Sequence, residues 1–204
     1  MSSRLVSHLR LWMIAAPLVL VVLTPLLPDD NDFEVQPAEQ SSVDAALGAR
    51  RADRAAARAN TQFARLFVDS GAMHWSYRGS LEVTDVHDAG LSDASSSWLK
   101  HFWMAIYRAV YRAQVAAAWL VGALALAAAM LNDGAVHRRI RASAAGVASP
   151  VGFHLAAHGL LVVVGCAASA FLLPLPLPAI TWSIGSALLG ALFWRLASTY
   201  YTNR

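Results

Sequence analysis

The stretch AQVAAAWLVGALALAAAML, Ala113–Leu131, carries no charged residue over nineteen positions. A helix rises about 1.5 Å per residue, so this run covers about 28 Å, close to the hydrocarbon thickness of a bilayer. On its N-terminal side, Trp98, Phe102, Trp103, Ile106, Tyr107, Val110 and Tyr111 recur at helical spacing, with Lys100, Arg108 and Arg112 between them. That mix of aromatic and basic residues suits a membrane–water boundary and predicts an interfacial helix over 97–112 leading into a span over 113–131. On the other side, Asn132-Asp133-Gly134 reads as a C-cap that ends the span.

The rest of the chain repeats the apolar theme. Leu11 to Leu27 is uncharged, preceded by Arg4 and Arg10 and closed by Pro28-Asp29-Asp30. It could be a signal peptide, but Leu-Leu-Pro-Asp stands where a small-residue cleavage site would be, so it reads as an uncleaved signal anchor, the first transmembrane helix over 11–27. Leu155 to Leu173 makes a third span, and 179–196 a shorter fourth, with Arg195 placed to reach the interface. Between them, Pro174, Pro176 and Pro178 exclude helix and predict a proline hairpin over 174–178. The fold class expected is all-α integral membrane, with four transmembrane helices and a helical periplasmic segment between the first and second. A re-entrant hairpin made of the third and fourth segments is the alternative.

Composition supports lipid as the solvent. Of 204 residues, 57% are hydrophobic and 14% charged, against roughly 25% charged in ordinary soluble domains. Twelve of the thirteen acidic residues fall between Asp29 and Asp93, and Asp133 stands alone beyond them. The pI near 9.4 therefore describes the flanks of membrane segments, and no direct nucleic-acid binding is expected. Cys166 is the only cysteine, which excludes an intrachain disulfide.

Within the segment 28–112, Ser42 can cap a helix starting at Val43 and ending near Asp69 and Gly71. Arg50, Arg54 and Arg58 lie four apart, so the basic groups of this helix, 42–69, gather on one broad face. Ser76 to Ser97 is rich in Gly, Ser and Asp and reads as a loop with a short strand over 81–86.

Arginines set the expected orientation. Four spans put the N-terminus 1–10, the loop 132–154 and the tail 197–204 on one side, with Arg4, Arg10, Arg138, Arg139, Arg141, Arg195 and Arg204. Short basic segments stay in the cytoplasm, and long loops cross regardless of charge. The expectation is a multi-pass protein of the bacterial inner (plasma) membrane with both termini cytoplasmic.

Little in the chain suggests catalysis. His154 and His158 lie one turn apart, a spacing that can hold a metal, yet two ligands do not make a site. The alternative is a pair of imidazoles bonding to headgroups or to a neighbouring helix. Asp133 reads either as a salt bridge to Arg138 or Arg139 that locks the turn, or as a water-exposed cap. No phosphate loop, dinucleotide fingerprint or zinc motif appears, so no cofactor and no enzymatic activity are expected. Small-residue pairs, Ala118 with Gly122, Gly165 with Ser169 and Ser186 with Gly190, would allow close helix packing and a homo-oligomer.

The stretch Asn132-Asp133-Gly134-Ala135-Val136-His137-Arg138-Arg139-Ile140-Arg141, followed by Ser149-Pro150-Val151-Gly152-Phe153-His154-Leu155-Ala156-Ala157-His158, resembles the integrating conjugative element membrane protein family. The shared features are an Asp-Gly turn, an Arg-rich stretch, a Ser-Pro and a His-containing start to the next span. The resemblance implies an inner-membrane component of a conjugative transfer module, often encoded beside a coupling ATPase that feeds DNA to a type IV secretion channel, with no assigned enzymatic activity. It would set Asp133, Gly134, Arg138, Arg139, Arg141, Ser149 and Pro150 on the cytoplasmic face, with His154 and His158 beside them, as candidate partner-binding residues. Its partners would be the bilayer, other conjugation membrane proteins and the coupling ATPase. Two other functions compete: a membrane signalling protein with a periplasmic sensing segment, and a small channel or transporter subunit. The first lacks an output domain, and the second lacks ionisable groups at mid-membrane depth.

Overall fold

The computed structural model describes residues 7, 9, 11–81, 89–144 and 150–200. Among them every regular element is helical. Helix α1 is Ala16–Leu23, α2 Pro37–Leu47, α3 Ala49–Phe63, α4 Ala72–Leu81, α5 Ala89–Ser143, α6 Pro150–Ala170 and α7 Ile180–Thr199. Three helices are long and apolar enough to cross a membrane: Asp93–Ser143, Pro150–Ala170 and Ile180–Thr199. The N-terminal apolar stretch forms a shorter helix, Met13–Leu26.

The chain divides into two compact units. An apolar unit comprises Met1–Ala16, Ala117–Ala168 and Ile180–Arg204, and a polar unit comprises Pro17–Ala116 and Ser169–Ala179.

Several local expectations are corrected. Helix α5 does not stop at Asn132-Asp133-Gly134 but runs unbroken to Ser143. A glycine inside a helix costs only about 1 kcal/mol, and Gly134 is buried against α7, where a side chain would not fit. The expected 42–69 helix is two helices divided at Gly48, whose φ of 78° lies in the left-handed region that glycine tolerates. Its start is also earlier: Pro37 sits at the first turn of α2, where its fixed φ suits the helix and its missing N–H costs nothing. Ser42 is therefore inside α2. The region expected to be a loop, 76–97, is helical up to Leu81 and again from Ala89. The strand expected over 81–86 lies, beyond Leu81, outside the described residues.

In the polar unit, α3 turns Ala52, Ala55 and Ala59 inward and leaves Arg50, Arg51, Arg54 and Arg58 exposed. Its far end meets α5 through aromatic edges, Phe63 to Tyr107 at 5.5 Å and Phe63 to Trp103 at 6.2 Å between ring centroids. Tyr107 donates a hydrogen bond to Asn60 (2.6 Å) and Trp103 donates one to Ser76 (3.0 Å). Phe33 is 1% exposed, burial worth about 1.5–3 kcal/mol. Within the aromatic stretch 97–112, Trp103 and Tyr111 are buried against protein.

In the apolar unit, α5 and α7 approach closely at Gly134, and Gly190 faces Leu126 and Met130. Trp119 donates to Ser183 (3.1 Å). Gly122, expected to pack through the Ala118 pair, faces open space. The outward surface is aliphatic, with Val121, Leu124, Val151, Leu155 and Ile180 each more than half exposed. Such a surface is costly in water and inexpensive in lipid.

Candidate functional site

Five of the residues singled out from the sequence, Asp133, Gly134, Arg138, Arg139 and Arg141, lie on the C-terminal part of α5. Asp133 forms no salt bridge to Arg138 or Arg139; its carboxylate accepts a hydrogen bond from the Trp194 indole at 2.6 Å. One turn further along, the His137 ring tilts against Trp194 (5.3 Å) and bonds Arg141 through Nε2 (3.0 Å). The Arg138 guanidinium lies over the Tyr200 ring, 5.4 Å from its centroid, a cation–π contact worth about 0.5–1 kcal/mol at an exposed site. Arg139 is exposed. Of three arginines that look alike in sequence, two are engaged in contacts within the chain and one faces outward.

On α6, Pro150 begins the helix, and His154 and His158 follow one turn apart. Phe153 packs edge-on against both His154 and Tyr200, and His154 Nε2 is buried without a hydrogen-bond partner. Ser149 lies outside the described residues. Among the described residues, no cluster of three or more His, Cys, Asp or Glu gathers as a metal site. Trp194, Ala197, Ser198 and Tyr200 pack against the C-terminal part of α5, and the sequence did not connect them to it. A glycine continuing a helix opposite a tryptophan-bearing helix was the available sign.

The polar unit holds a second arrangement that the sequence did not reveal. Arg112 and Glu39 form a two-point ion pair, Nε to Oε1 at 2.8 Å and Nη2 to Oε2 at 2.7 Å, with side-chain exposures of 1% and 3%. The same guanidinium donates to the carbonyls of Ala170, Leu173 and Leu175, at 2.9, 2.8 and 2.5 Å. Glu39 also accepts from the Leu177 amide (3.1 Å), and the Ser42 hydroxyl from the Ala179 amide (3.0 Å). Prolines at 174, 176 and 178 prevent the connection 171–179 from satisfying its own carbonyls by a helix. Arg112 donates to carbonyls of this connection instead, while the Glu39 carboxylate accepts from the Leu177 amide and from Arg112 itself. The arginines expected at the headgroups are therefore buried. Arg108, 1% exposed, donates to the Asp32 carbonyl and lies 5.9 Å from the Phe33 ring centroid.

Nearby, Asp30 accepts from Lys100 (2.5 Å) and from His101 Nε2 (2.7 Å). Those two bonds hold its carboxyl below the ordinary 3.8. The other His101 nitrogen faces the Pro25 carbonyl at 3.1 Å, and its ring stacks on Phe33 at 4.4 Å. Trp98 donates to the Val22 carbonyl (3.2 Å), so the end of the N-terminal helix is tied to α5 at several points.

Together these features define an all-helical protein with three helices suited to a bilayer and a polar helical unit closed by a buried ion pair. The chain belongs to the DtrJ-like family: the family model described as IncC plasmid conjugative DNA transfer protein DtrJ-like matches residues 30–201. It is thus a conjugative DNA transfer component, and conjugation is the ground this family shares with the resemblance read from the sequence. Comparisons with curated proteins and with solved structures gave no match.

Proposed function

We propose that the chain is a non-enzymatic inner-membrane scaffold or accessory subunit of a type IV secretion apparatus for conjugation, crossing the membrane four times with both ends in the cytoplasm. The Asp133–Arg141 face then contacts the coupling ATPase. The observation that carries the reading is the family match across residues 30–201, which takes in most of the polar unit and all three long helices. Two features support it further. Arg112 and the proline connection that it holds belong to one unit, and two crossings between them, by α5 and α6, account for that. The buried Arg112 is saturated by Glu39 and backbone carbonyls, which favours a structural over a transport role.

The test is co-purification of the coupling ATPase from donor cells. Reversing Arg138, Arg139 and Arg141 to glutamate weakens recovery while leaving membrane insertion intact. Exposed Arg139 alone gives the larger share of the effect for the least structural disturbance. Undiminished recovery with the triple reversal, or a reporter fusion showing the region near Ala145 to be exported, sinks the contact.

A further inference from the structure

We propose that the aromatic cleft of the polar unit is a docking site for a basic, apolar-spaced peptide segment of another conjugation protein. The cleft has a volume of about 640 Å³, within the range of roughly 300–1,000 Å³ typical of binding pockets. Its floor is aromatic, built from Phe33, Phe63, Trp103, Tyr107 and Tyr111. Hydrogen bonds of Trp103 to Ser76 and of Tyr107 to Asn60 fix two of those rings before anything binds, which lowers the entropy cost of binding. Small Ala52 and Ala56 on α3 leave the space open.

Charge selects the occupant. Glu34, Asp44 and Asp53 line the cleft and are exposed, and none forms an ion pair or side-chain hydrogen bond among the described residues. The lining cation, Lys100, is already tied to Asp30. An acidic lip over aromatic faces suits arginine or lysine side chains, which stack on rings and pair with carboxylates. Met73 and Met104 add an adaptable lining of the kind that accommodates apolar peptide side chains. The proposal stands on the polar unit and is independent of the cytoplasmic arginines.

The experiment uses the full chain in a neutral detergent and a fluorescein-labelled hexapeptide of alternating Arg and Leu. Saturable binding is expected, weakened by salt, and absent for the matching Glu-Leu peptide. The variant E34Q/D44N/D53N lowers affinity about tenfold or more, whereas D69N, on an exposed carboxylate outside the cleft, leaves it unchanged. Ala56→Trp fills the cleft and abolishes binding. Should that variant melt early, the three isosteric carboxylate changes on exposed side chains still decide the matter. Equal binding of the acidic peptide, or wild-type affinity in the triple variant, overturns the proposal. So does full displacement of the peptide by benzyltrimethylammonium at the peptide's own affinity, which assigns the cleft to a small organic cation.

Discussion

Replacing Gly134 by alanine tests whether α5 and α7 meet as closely as described. The added Cβ would stand 2.5 Å from the Trp194 carbonyl oxygen, 2.9 Å from the Ala197 Cβ and 3.2 Å from the Ser198 amide nitrogen. Carbon contacts are comfortable at about 3.5–4.0 Å, and two of these neighbours are backbone atoms that cannot rotate away. The helices must separate by roughly 1 Å, an overpacking cost of about 1–3 kcal/mol. Separation also strains the Trp194–Asp133 hydrogen bond, a further loss of about 1 kcal/mol. Alanine returns up to about 1 kcal/mol in helix propensity, so the net loss is about 1–3 kcal/mol. Gly122 is the internal control, because no atom lies within 4 Å of its would-be Cβ. Gly122→Ala keeps the propensity gain without the clash, so the two variants differ by about 2–4 kcal/mol. Unfolding of both proteins in the same detergent, followed by tryptophan fluorescence, measures the difference. If Gly134→Ala proves as stable as Gly122→Ala, the close approach is wrong.

Arg112→Met strands a buried Glu39 and several carbonyls, and a loss of about 3–5 kcal/mol is expected from thermal melts. Adding Glu39→Leu restores only part of it, since the carbonyls of the 171–179 connection still lack their donor. Asp30 carries a sign that can be checked. Its folded carboxyl lies below 3.8, so its contribution is complete above that value and disappears as pH falls through the lower folded value. Asp30→Asn should therefore flatten the acid limb of a stability–pH curve while leaving the neutral region parallel to wild type; an unchanged acid limb refutes this. Trp194→Phe keeps an aromatic ring against His137 but drops the bond to Asp133, a loss of about 1 kcal/mol in the same unfolding assay.

The apolar helices were legible because their signal is local and cumulative. Nineteen uncharged positions from Ala113 to Leu131 need no partner to be read as a bilayer-length helix. The stop expected at Asn132-Asp133-Gly134 was misread for the opposite reason. A glycine after an apolar run is a good C-cap by local rules, and only Trp194, sixty residues later, shows that its missing side chain admits a neighbouring helix. Likewise, Ser42 carried the chemistry of a cap, but Pro37 upstream set the helix start and freed Ser42 to receive the Ala179 amide. Arg112 was read as an interfacial cation because its four-residue surroundings are aromatic and basic. Its partners are Glu39 and the backbone beyond Ala170.

By itself, then, the chain's pattern of apolar runs and segregated charge determined that it is helical and suited to lipid, since water-to-lipid transfer depends on side-chain composition summed along a segment. Tertiary structure decided which polar groups are used up and which stay available. Arg112 and Arg139 are the same residue type, both on α5, one buried against a carboxylate and carbonyls and the other exposed. That difference arises from hydrogen bonds between residues far apart in sequence, whose energies depend on distance and burial that no local window contains.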